Sequence, residues 1–297
     1  MTDSDSLGIF MPHVDIAGGN ARSYSEPVVS ICIPTFNGSG TIGATIASCL
    51  NQTFNSVEII ISDDNSSDGT VDEISKFDDP RLVVLPPHKS SGAANNWNRT
   101  ISAAKGRYIK VMGQDDLLRP ECIQIEVSTL IRNQKLNPSF CFSTRSIIDD
   151  SNVIIIQSRG WIPKNNKCSI DETVKQIVRT GGNPIGEPVV GLIDSHALRQ
   201  TSGYKGSYLI DLNMWLDLLA VGPAVHTQKT LMSFRIGKSS WSFRLKDSQN
   251  SEIRAFLKLL KNDYPKLVNK RDVLVGTVLA FLKPKLRVAL ILIRSKK

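Results

Sequence analysis

The chain has 297 residues, of which 41% are hydrophobic, and this allows one large domain with a sizeable core and some appendages. A net charge of +8 could suit nucleic acid, but aromatic residues reach only 6% and no DNA- or RNA-binding motif is present, so nucleic-acid binding is disfavoured. The five cysteines lack metal-ligand spacing, and their odd number and mostly apolar neighbours indicate a reducing cytosol.

The chain opens with a polar arm, residues 1–26, which lacks the apolar core of a signal peptide and is expected to be disordered. Apolar, β-branched runs then alternate with amphipathic segments. Strands are predicted within residues 27–37 and at residues 57–62, 81–85 and 108–112. Helices are predicted at about 41–51, from a cap at Asp68 or Thr70 onwards, and from Gly92 to about 104. This alternation predicts βαβ units and an α/β fold with a mostly parallel sheet that is covered on both faces.

Four polar clusters follow these strands, at residues 34–37, 63–68, 88–92 and 114–116. Because the carboxyl ends of parallel strands meet at one edge of a sheet, the clusters are expected to converge on a nucleotide-type crevice. The sequence contains neither a GxGxxG fingerprint after the first strand nor a Walker A motif. A bound phosphate would therefore need a metal ion rather than a glycine-rich cradle.

The adjacent carboxylates of Asp115 and Asp116 supply such a metal site. Two like charges side by side repel, and a divalent cation removes the repulsion. Hard oxygen ligands suit Mg²⁺ or Mn²⁺, which usually share their remaining positions with substrate phosphates. The alternative is a turn with a helix N-cap, which two aspartates shortly before Pro120 could also form.

Three blocks in this order resemble the family 2 glycosyltransferases of the GT-A fold: SICIPTFNGSGTI, IIISDDNSSDGT and NRTISAAKGRYIKVMGQDDL. The resemblance covers roughly residues 27–235. It implies a nucleotide-sugar donor (uridine favoured, thymidine and guanosine open), a divalent metal, Mn²⁺ or Mg²⁺, and transfer with inversion at the anomeric carbon.

The resemblance also assigns residues to the donor. The positions that it places at the base and ribose are Pro34, Phe36, Asn37, Asp64 and Asp115, and it makes Asp116 the direct metal ligand. Phe36 stands where a Tyr is more usual, which keeps the stacking face and loses the hydroxyl; its alternative is an ordinary core residue. Asp63 is expected to be a structural partner or cap of this loop.

The second half is expected to form the acceptor side. Strands are predicted at residues 139–148 and 153–158, joined by a hairpin at 149–152, and at 225–235. A helix is predicted at residues 170–180, closed by Gly181. In the loop at 183–188, which resembles the family segment over the sugar, Asn183 and Glu187 are candidates for contacting sugar hydroxyls; the alternative is that both are exposed loop residues.

A helix at residues 210–218 matches the family's ED-x-x-LW-x-x-L segment and carries the candidate base. Ile210 replaces the first acid, so only Asp211 remains to take a proton from the acceptor hydroxyl, which is a poor nucleophile while protonated. The alternative for Asp211 is an N-cap. Trp215 is a further candidate for contacting substrate, whereas His226 and Trp241 are pocket candidates that a structural role would also explain.

From residue 241 onwards the chain is basic, with short apolar runs at helical period. Basic flanks with apolar faces suit the headgroup region of an anionic inner leaflet, which would be useful with a lipid-linked acceptor. The alternative is a helix packed on the catalytic domain or in a dimer interface.

These expectations combine into an arm (1–26), a catalytic domain (27–240, divided at residue 118 into nucleotide and acceptor halves) and a helical extension (241–297). The predicted activity is metal-dependent glycosyl transfer to a polysaccharide or lipid-linked glycan, at the cytoplasmic face or peripheral on the inner membrane. The alternatives are a non-catalytic nucleotide- or glycan-binding paralogue and a sugar-phosphate nucleotidyltransferase. The latter would normally need a basic, glycine-rich loop after the first strand, which SICIPTFNGSG lacks.

Overall fold

The structure is a computed structural model that describes residues 26–206, 209–237 and 249–294, with side chains in the last segment described from 251 to 282. Trp241 and nearly all of the predicted arm lie outside the described residues. The strands in the described residues are β1 Val29–Thr35, β2 Val57–Asp63, β3 Leu82–Val84, β4 Tyr108–Val111, β5 Leu117–Leu118, β6 Phe140–Ile148, β7 Ile154–Arg159, β8 Lys167–Cys168, β9 Gly191–Asp194 and β10 Ala224–Arg235. The helices are α1 Ile42–Leu50, α2 Thr70–Ser75, α3 Ala93–Ser102, α4 Cys122–Arg132, α5 Ile170–Thr180, α6 Ser195–Leu198, α7 Ile210–Val221, α8 Gln249–Asp263 and α9 Lys270–Arg294.

All the strands belong to one sheet, in the order β3-β2-β1-β4-β9-β6-β10-β5, with β7 on β6 and β8 on β10. Strands β3, β2, β1 and β4 are parallel. Strand β9 is antiparallel to both β4 and β6, so β6 and its parallel neighbour β10 run in the same direction as β4. The predicted α/β fold with a mostly parallel sheet is therefore confirmed, and the carboxyl ends of these strands share one edge.

The predicted elements of the nucleotide half are all present, with bounds that differ by a few residues. The hairpin at residues 149–152 joins antiparallel β6 and β7, as predicted. Helix α5 has the predicted bounds because a capping box of Ser169 and Glu172 starts it and Gly181, in the left-handed conformation, ends it. At the end of the 183–188 loop, Pro188 begins a single 3₁₀ turn over residues 188–190, and β9 starts at Gly191.

The core lies on both faces of the sheet and includes a buried ion pair. β1 is buried along its whole length, as expected for a strand covered on both sides. Lys110 of β4 and Glu126 of α4 are fully buried and lie 2.6 Å apart, Nζ to Oε1. Each charge is tolerable there only because the other neutralises it.

The C-terminal helices pack on the catalytic domain through α5. Val174, Ile177 and Val178 of α5 share a buried cluster with Leu257 of α8 and Ala280 of α9. The alternative of a helix packed on the catalytic domain is therefore correct for this face of the extension. In the described residues, no helix combines the length and the apolar composition that crossing a bilayer requires.

Candidate active site

Asp115 and Asp116 follow β4 in a turn that brings both carboxylates over Gly113. A Cβ atom on Gly113 would lie 2.8 Å from Asp115 Oδ1 and 3.2 Å from Asp116 Oδ2, so the glycine leaves free the space on which both oxygens converge. Asp116 is only 3% exposed. Burial raises the pKa of Asp116 well above its ordinary value, and the charges of Asp115 and Glu187 raise it further. Burial also raises the pKa of Asp115, so ionising the pair costs free energy unless a cation neutralises it.

Arg235, at the end of β10, is a cation close to this pair, but its guanidinium hydrogen-bonds backbone oxygens and an amide instead of the two carboxylates. Its Nε donates to the backbone oxygen of Asp115 at 3.1 Å, and its terminal nitrogens donate to the backbone oxygen of Asp149 and to Asn152 Oδ1, both at 2.6 Å. Its backbone N–H donates to Asp116 Oδ1 at 3.4 Å. The guanidinium lowers the pKa of Asp115, but the larger effect of burial keeps that pKa raised.

The two carboxylates fit a divalent cation as a partial ligand set. Within the described residues, no group of three or more His, Cys, Asp or Glu side chains is arranged to hold a metal. Asp115 and Asp116 would therefore supply one or two ligands and leave the other positions to phosphate oxygens and water, as is usual for Mg²⁺. A cation held there would neutralise charge that develops on a departing diphosphate.

The loop after β1 presents Phe36 at the same edge. Its side chain is 43% exposed, so the alternative of a core phenylalanine is wrong. The amide of Gln114 holds the loop in place: Oε1 accepts from the N–H of Phe36 at 2.7 Å, and Nε2 donates to its carbonyl at 3.0 Å. Pro34 is buried within β1, so of the two predicted base contacts only Phe36 has an exposed side chain.

Asn37 connects this loop to the loop after β2. Its backbone is left-handed, with φ of 51°, its N–H donates to Ser66 Oγ at 2.8 Å, and its Oδ1 accepts from the N–H of Ser67 at 2.9 Å. Asp63 accepts from the N–H of Ser66 at 2.8 Å, which is the structural role that the sequence indicated. These bonds fix the position of the backbone on either side of Phe36.

Asp64 connects the loop after β2 to the start of α3. It is 4% exposed and accepts from the N–H groups of Ser91 at 2.8 Å and Gly92 at 3.0 Å and from Ser90 Oγ at 3.0 Å. Burial opposes ionisation of Asp64, but these hydrogen bonds lower its pKa below the ordinary value. Asp64 is therefore a fixed anion at the predicted nucleotide crevice.

Asp211 lies in the first turn of α7. The N-cap of this helix is Leu209, so the interpretation of Asp211 as an N-cap is wrong. Its Oδ2 accepts from Asn183 Nδ2 at 3.0 Å and its Oδ1 from the N–H of Leu212 at 2.8 Å. Burial, together with the charge of Glu187, raises the pKa of Asp211 to about 7. A carboxylate tuned to neutral pH has the property that a general base requires.

Glu187 acts electrostatically on both the candidate base and the carboxylate pair. Its charge raises the pKa of both Asp116 and Asp211, so it lies within electrostatic range of each. Its Oε2 lies 2.5 Å from Nε of Arg145, a buried residue of β6. Asn183 and Glu187 are partly exposed, and each has a polar partner, Asp211 for Asn183 and Arg145 for Glu187.

Two candidates lie elsewhere. The expectation that Trp215 contacts substrate is wrong, because its side chain is fully buried and stacks on Phe140. Its indole N–H donates to the carbonyl of Gly186 at 2.8 Å and so holds the 183–188 loop in place. His226 lies near the start of β10, at the other end of the strand from Arg235. Its ring accepts from the N–H of Gln228 and packs on Phe142. These contacts agree with the structural role that the sequence left open for His226.

Sequence reasoning missed Arg145 and Arg235, and it placed Gln114 in the 114–116 cluster without giving it a role. Gln114 stands directly before the aspartate pair, and this position could have drawn attention to it. The two arginines are distant in sequence, and only the pairing of β6 with β10 and of β10 with β5 brings them close.

Residues 30–183, just over half of the chain, match the family model for glycosyl transferase family 2. The chain belongs to this family. Among curated relatives, it is 32% identical over 167 residues to the *Escherichia coli* protein named UDP-Glc:alpha-D-GlcNAc-diphosphoundecaprenol beta-1,3-glucosyltransferase WfgD, covering 55% of this chain and 65% of WfgD. It is 26% identical over 220 residues to the putative teichuronic acid biosynthesis glycosyltransferase TuaG of *Bacillus subtilis*, covering 73% of this chain and 82% of TuaG.

Several solved structures share the fold of this family 2 chain. *S. aureus* TarS 1–349 in complex with UDP-GlcNAc aligns with a TM-score of 0.61 at 14% identity, over 78% of this chain and 65% of that one. The mannosyltransferase PcManGT of *Pyrobaculum calidifontis*, in complex with GDP-Man and Mn²⁺, aligns with a TM-score of 0.58 at 14% identity, over 91% and 81%. At such identities the likeness concerns the fold alone, and it confirms the expected GT-A-type architecture.

The chain spans 65% of WfgD and 36% of the next relative, WfaP of *Escherichia coli*.

Proposed function

We propose that this chain is an inverting glycosyltransferase that moves one sugar from a nucleotide-diphosphate sugar to a glycan hydroxyl. The observation that carries the proposal is that Glu187 lies within electrostatic range of both Asp116 and Asp211 and raises the pKa of each. The site therefore combines the buried carboxylates of Asp115 and Asp116, which suit a cation, with Asp211, whose pKa is about 7. Such a site meets the two requirements of glycosyl transfer, which are a base for the hydroxyl and a means to bind the departing diphosphate.

The donor would lie along the carboxyl edge of β1, β2 and β4. The exposed ring of Phe36 suits stacking on a base, and Asp64 and Asp115 suit hydrogen bonds to the base and ribose. The names of WfgD and of the TarS complex contain UDP sugars, which supports uridine, while the GDP-Man complex of PcManGT keeps guanosine open. The Mn²⁺ in that complex supports a divalent cation at Asp115 and Asp116.

The acceptor would approach from the side of the 183–188 loop. Asp211 takes the proton of the acceptor hydroxyl as its oxygen attacks the anomeric carbon on the face opposite the diphosphate. A single displacement of this kind inverts the configuration. Asn183 holds the Oδ2 atom of Asp211 in place, which leaves the base in one orientation. The name of WfgD contains a diphosphoundecaprenol-linked acceptor, which supports a lipid-linked glycan here and a location at the cytoplasmic membrane face.

The test compares Asp211→Asn with Asp217→Asn, which removes a carboxylate from the same helix where it pairs with Lys205. The full-length chain is assayed for nucleotide release from UDP, GDP and dTDP sugars with Mn²⁺ and lipid-linked or free glycan acceptors, and UDP binding is measured by calorimetry. Loss of a general base lowers turnover by about 10²–10⁴-fold. We expect this loss for Asp211→Asn with UDP binding retained, and turnover within twofold of wild type for Asp217→Asn.

A wild-type protein that binds nucleotide but turns over none of these donors would instead support the non-catalytic paralogue, the second candidate. Ile210, which replaces an acid of the family pattern, is the observation that favours it; the side chain is 7% exposed. Equal turnover of Asp211→Asn and wild type would refute the role of Asp211 as the base.

A further inference from the structure

The surface that helices α8 and α9 turn away from the catalytic domain is unusually apolar. Fifteen large hydrophobic side chains are exposed in the described residues, and five of them fall within residues 274–282 of α9. Single exposed hydrophobic residues are normal, but a contiguous group indicates a binding surface. The members of this outer face are Leu259 of α8 and Leu274, Val275, Val278, Phe281 and Leu282 of α9.

Helical periodicity places these side chains on one side of α9. Leu274, Val278 and Phe281 are four and three residues apart, which aligns them in one stripe. They are 65%, 50% and 46% exposed. Gly276 and Ala280 face the other way and pack on α5. Because protein already covers that inner side, Leu274 and Val278 lie on the side of α9 that points away from α5.

The charge of the chain is concentrated in the same segment. Residues 254–297 contain twelve Lys and Arg and two Asp, a net charge of +10, so the first 253 residues carry −2 of the total of +8. Arg254 and Lys258 of α8 are exposed and line a groove of about 750 Å³ together with Val278 and Phe281. A partner of this surface therefore has to offer both apolar area and negative charge.

From these observations we infer that the outer face of α8 and α9 docks on a bilayer surface that contains anionic phospholipid. Lipid chains accept the Leu274 and Val278 side chains, while the headgroup phosphates meet Arg254 and Lys258. A second copy of this chain would bring another +10 segment against the first, so charge disfavours that occupant.

Docking there would bring the membrane close to the acceptor side of the site. Gly181, at the end of α5, touches α9 so closely that a Cβ atom on it would lie 2.3 Å from the Gly276 carbonyl oxygen. Two residues further on, Asn183 donates to Asp211. The backbone from Gly181 to Asn183 therefore connects α9 to the candidate base Asp211. The benefit for a lipid-linked acceptor rests on the proposed function, whereas lipid binding itself does not.

The test measures co-sedimentation of the full-length chain with vesicles of phosphatidylcholine alone or with about one third phosphatidylglycerol. The variants are Leu274→Glu/Val278→Glu on the outer face, Arg254→Gln/Lys258→Gln on its basic rim, and the control Val71→Glu, which changes a 54% exposed valine on α2. Circular dichroism and thermal unfolding check that each variant is folded, and analytical ultracentrifugation gives its oligomeric state.

We expect wild type and Val71→Glu to bind anionic vesicles at least tenfold better than neutral ones. Salt should weaken this binding, because it screens charge attraction. The double Glu variant should lose at least tenfold in binding, and the double Gln variant should lose most of its preference for anionic lipid. Equal vesicle binding by wild type and the double Glu variant, no vesicle binding by wild type, or a wild-type dimer that the double Glu variant dissociates would overturn the inference. None of these outcomes bears on turnover with free glycan acceptors, so the proposed function is judged separately.

Discussion

The side-chain amide of Gln114 forms two hydrogen bonds with the backbone of Phe36, accepting from its N–H at 2.7 Å and donating to its carbonyl at 3.0 Å. Gln114 Oε1 also accepts from the hydroxyl of Thr35. A residue next to the proposed metal ligands thus fixes the loop that presents the proposed base-stacking ring. Gly38 lies so close that a Cβ atom there would be 2.4 Å from Cδ of Gln114, so this loop also needs a glycine to fit against the amide.

Replacing Gln114 by Ala should weaken nucleotide binding without touching the nucleotide. Each lost hydrogen bond is worth about 0.5–1.5 kcal/mol, so freeing the Phe36 loop should raise the Kd for UDP by roughly tenfold. Calorimetric titration of UDP in the presence of Mn²⁺ measures this. Gln200→Ala, which changes an exposed glutamine, is the control and should leave the Kd unchanged. An unaltered Kd in Gln114→Ala would show that the loop keeps its position without the amide.

The pH dependence of turnover should report Asp211. Its pKa of about 7 means that the carboxylate is protonated, and useless as a base, on the acidic side. The value of kcat/KM should therefore fall as the pH drops through about 7. Because the charge of Glu187 contributes to the raised pKa, Glu187→Gln should make ionisation easier and move the acidic limb to lower pH. Asp217→Asn should leave the limb in place, and a limb that stays fixed in Glu187→Gln would contradict the electrostatic link.

Local patterns predicted most of the elements because their signals are short-range. Helix α5 was found to the residue since its capping box and terminal glycine are both written in the sequence. The four polar clusters could be assigned to one edge because parallel strands leave no other arrangement. The bounds of the turn at Pro188 and of β9 could not be read from the sequence, because buried apolar residues look alike in either conformation.

The errors at the site arise from long-range packing. Trp215 and Pro34 match family positions, but what surrounds them decides whether their side chains reach a ligand, and here both are buried. Arg145 and Arg235 come to the site only through the pairing of β6, β10 and β5, which no local pattern encodes. The raised pKa of Asp211 likewise depends on its burial in the folded chain and on the charge of Glu187, which lies 24 positions earlier.

Asp116→Asn should make the metal-free protein more stable at neutral pH. Burial holds the pKa of Asp116 well above that of an unfolded carboxyl, so the unfolded chain loses this proton first as the pH rises above about 4, and the folded state is progressively disfavoured. Asparagine carries no such cost. With EDTA present, urea unfolding at pH 8 should show a gain of about 1–3 kcal/mol over wild type, and the gain should vanish near pH 4.

The control for this comparison is Asp78→Asn, an exposed aspartate at which no gain is expected. Adding Mn²⁺ and UDP should reverse the order, since a ligand at a hundred times its Kd stabilises by about 2.7 kcal/mol and only wild type keeps the proposed ligand. If Asp116→Asn gains as much as wild type from Mn²⁺ and UDP, Asp116 is not the metal ligand.

Breaking the buried pair of Lys110 and Glu126, which joins β4 to α4, should strongly destabilise the fold. Glu126 accepts from Lys110 at 2.6 and 2.8 Å, and both side chains are fully buried. Glu126→Gln leaves a buried ammonium without its counter-charge, which typically costs about 3–5 kcal/mol. The urea midpoint should fall accordingly, whereas Glu121→Gln, at the exposed start of the same helix, should leave it unchanged. Lys110→Met combined with Glu126→Leu removes both charges and should recover most of the loss; if it is no more stable than Glu126→Gln alone, packing rather than the uncompensated charge accounts for the cost.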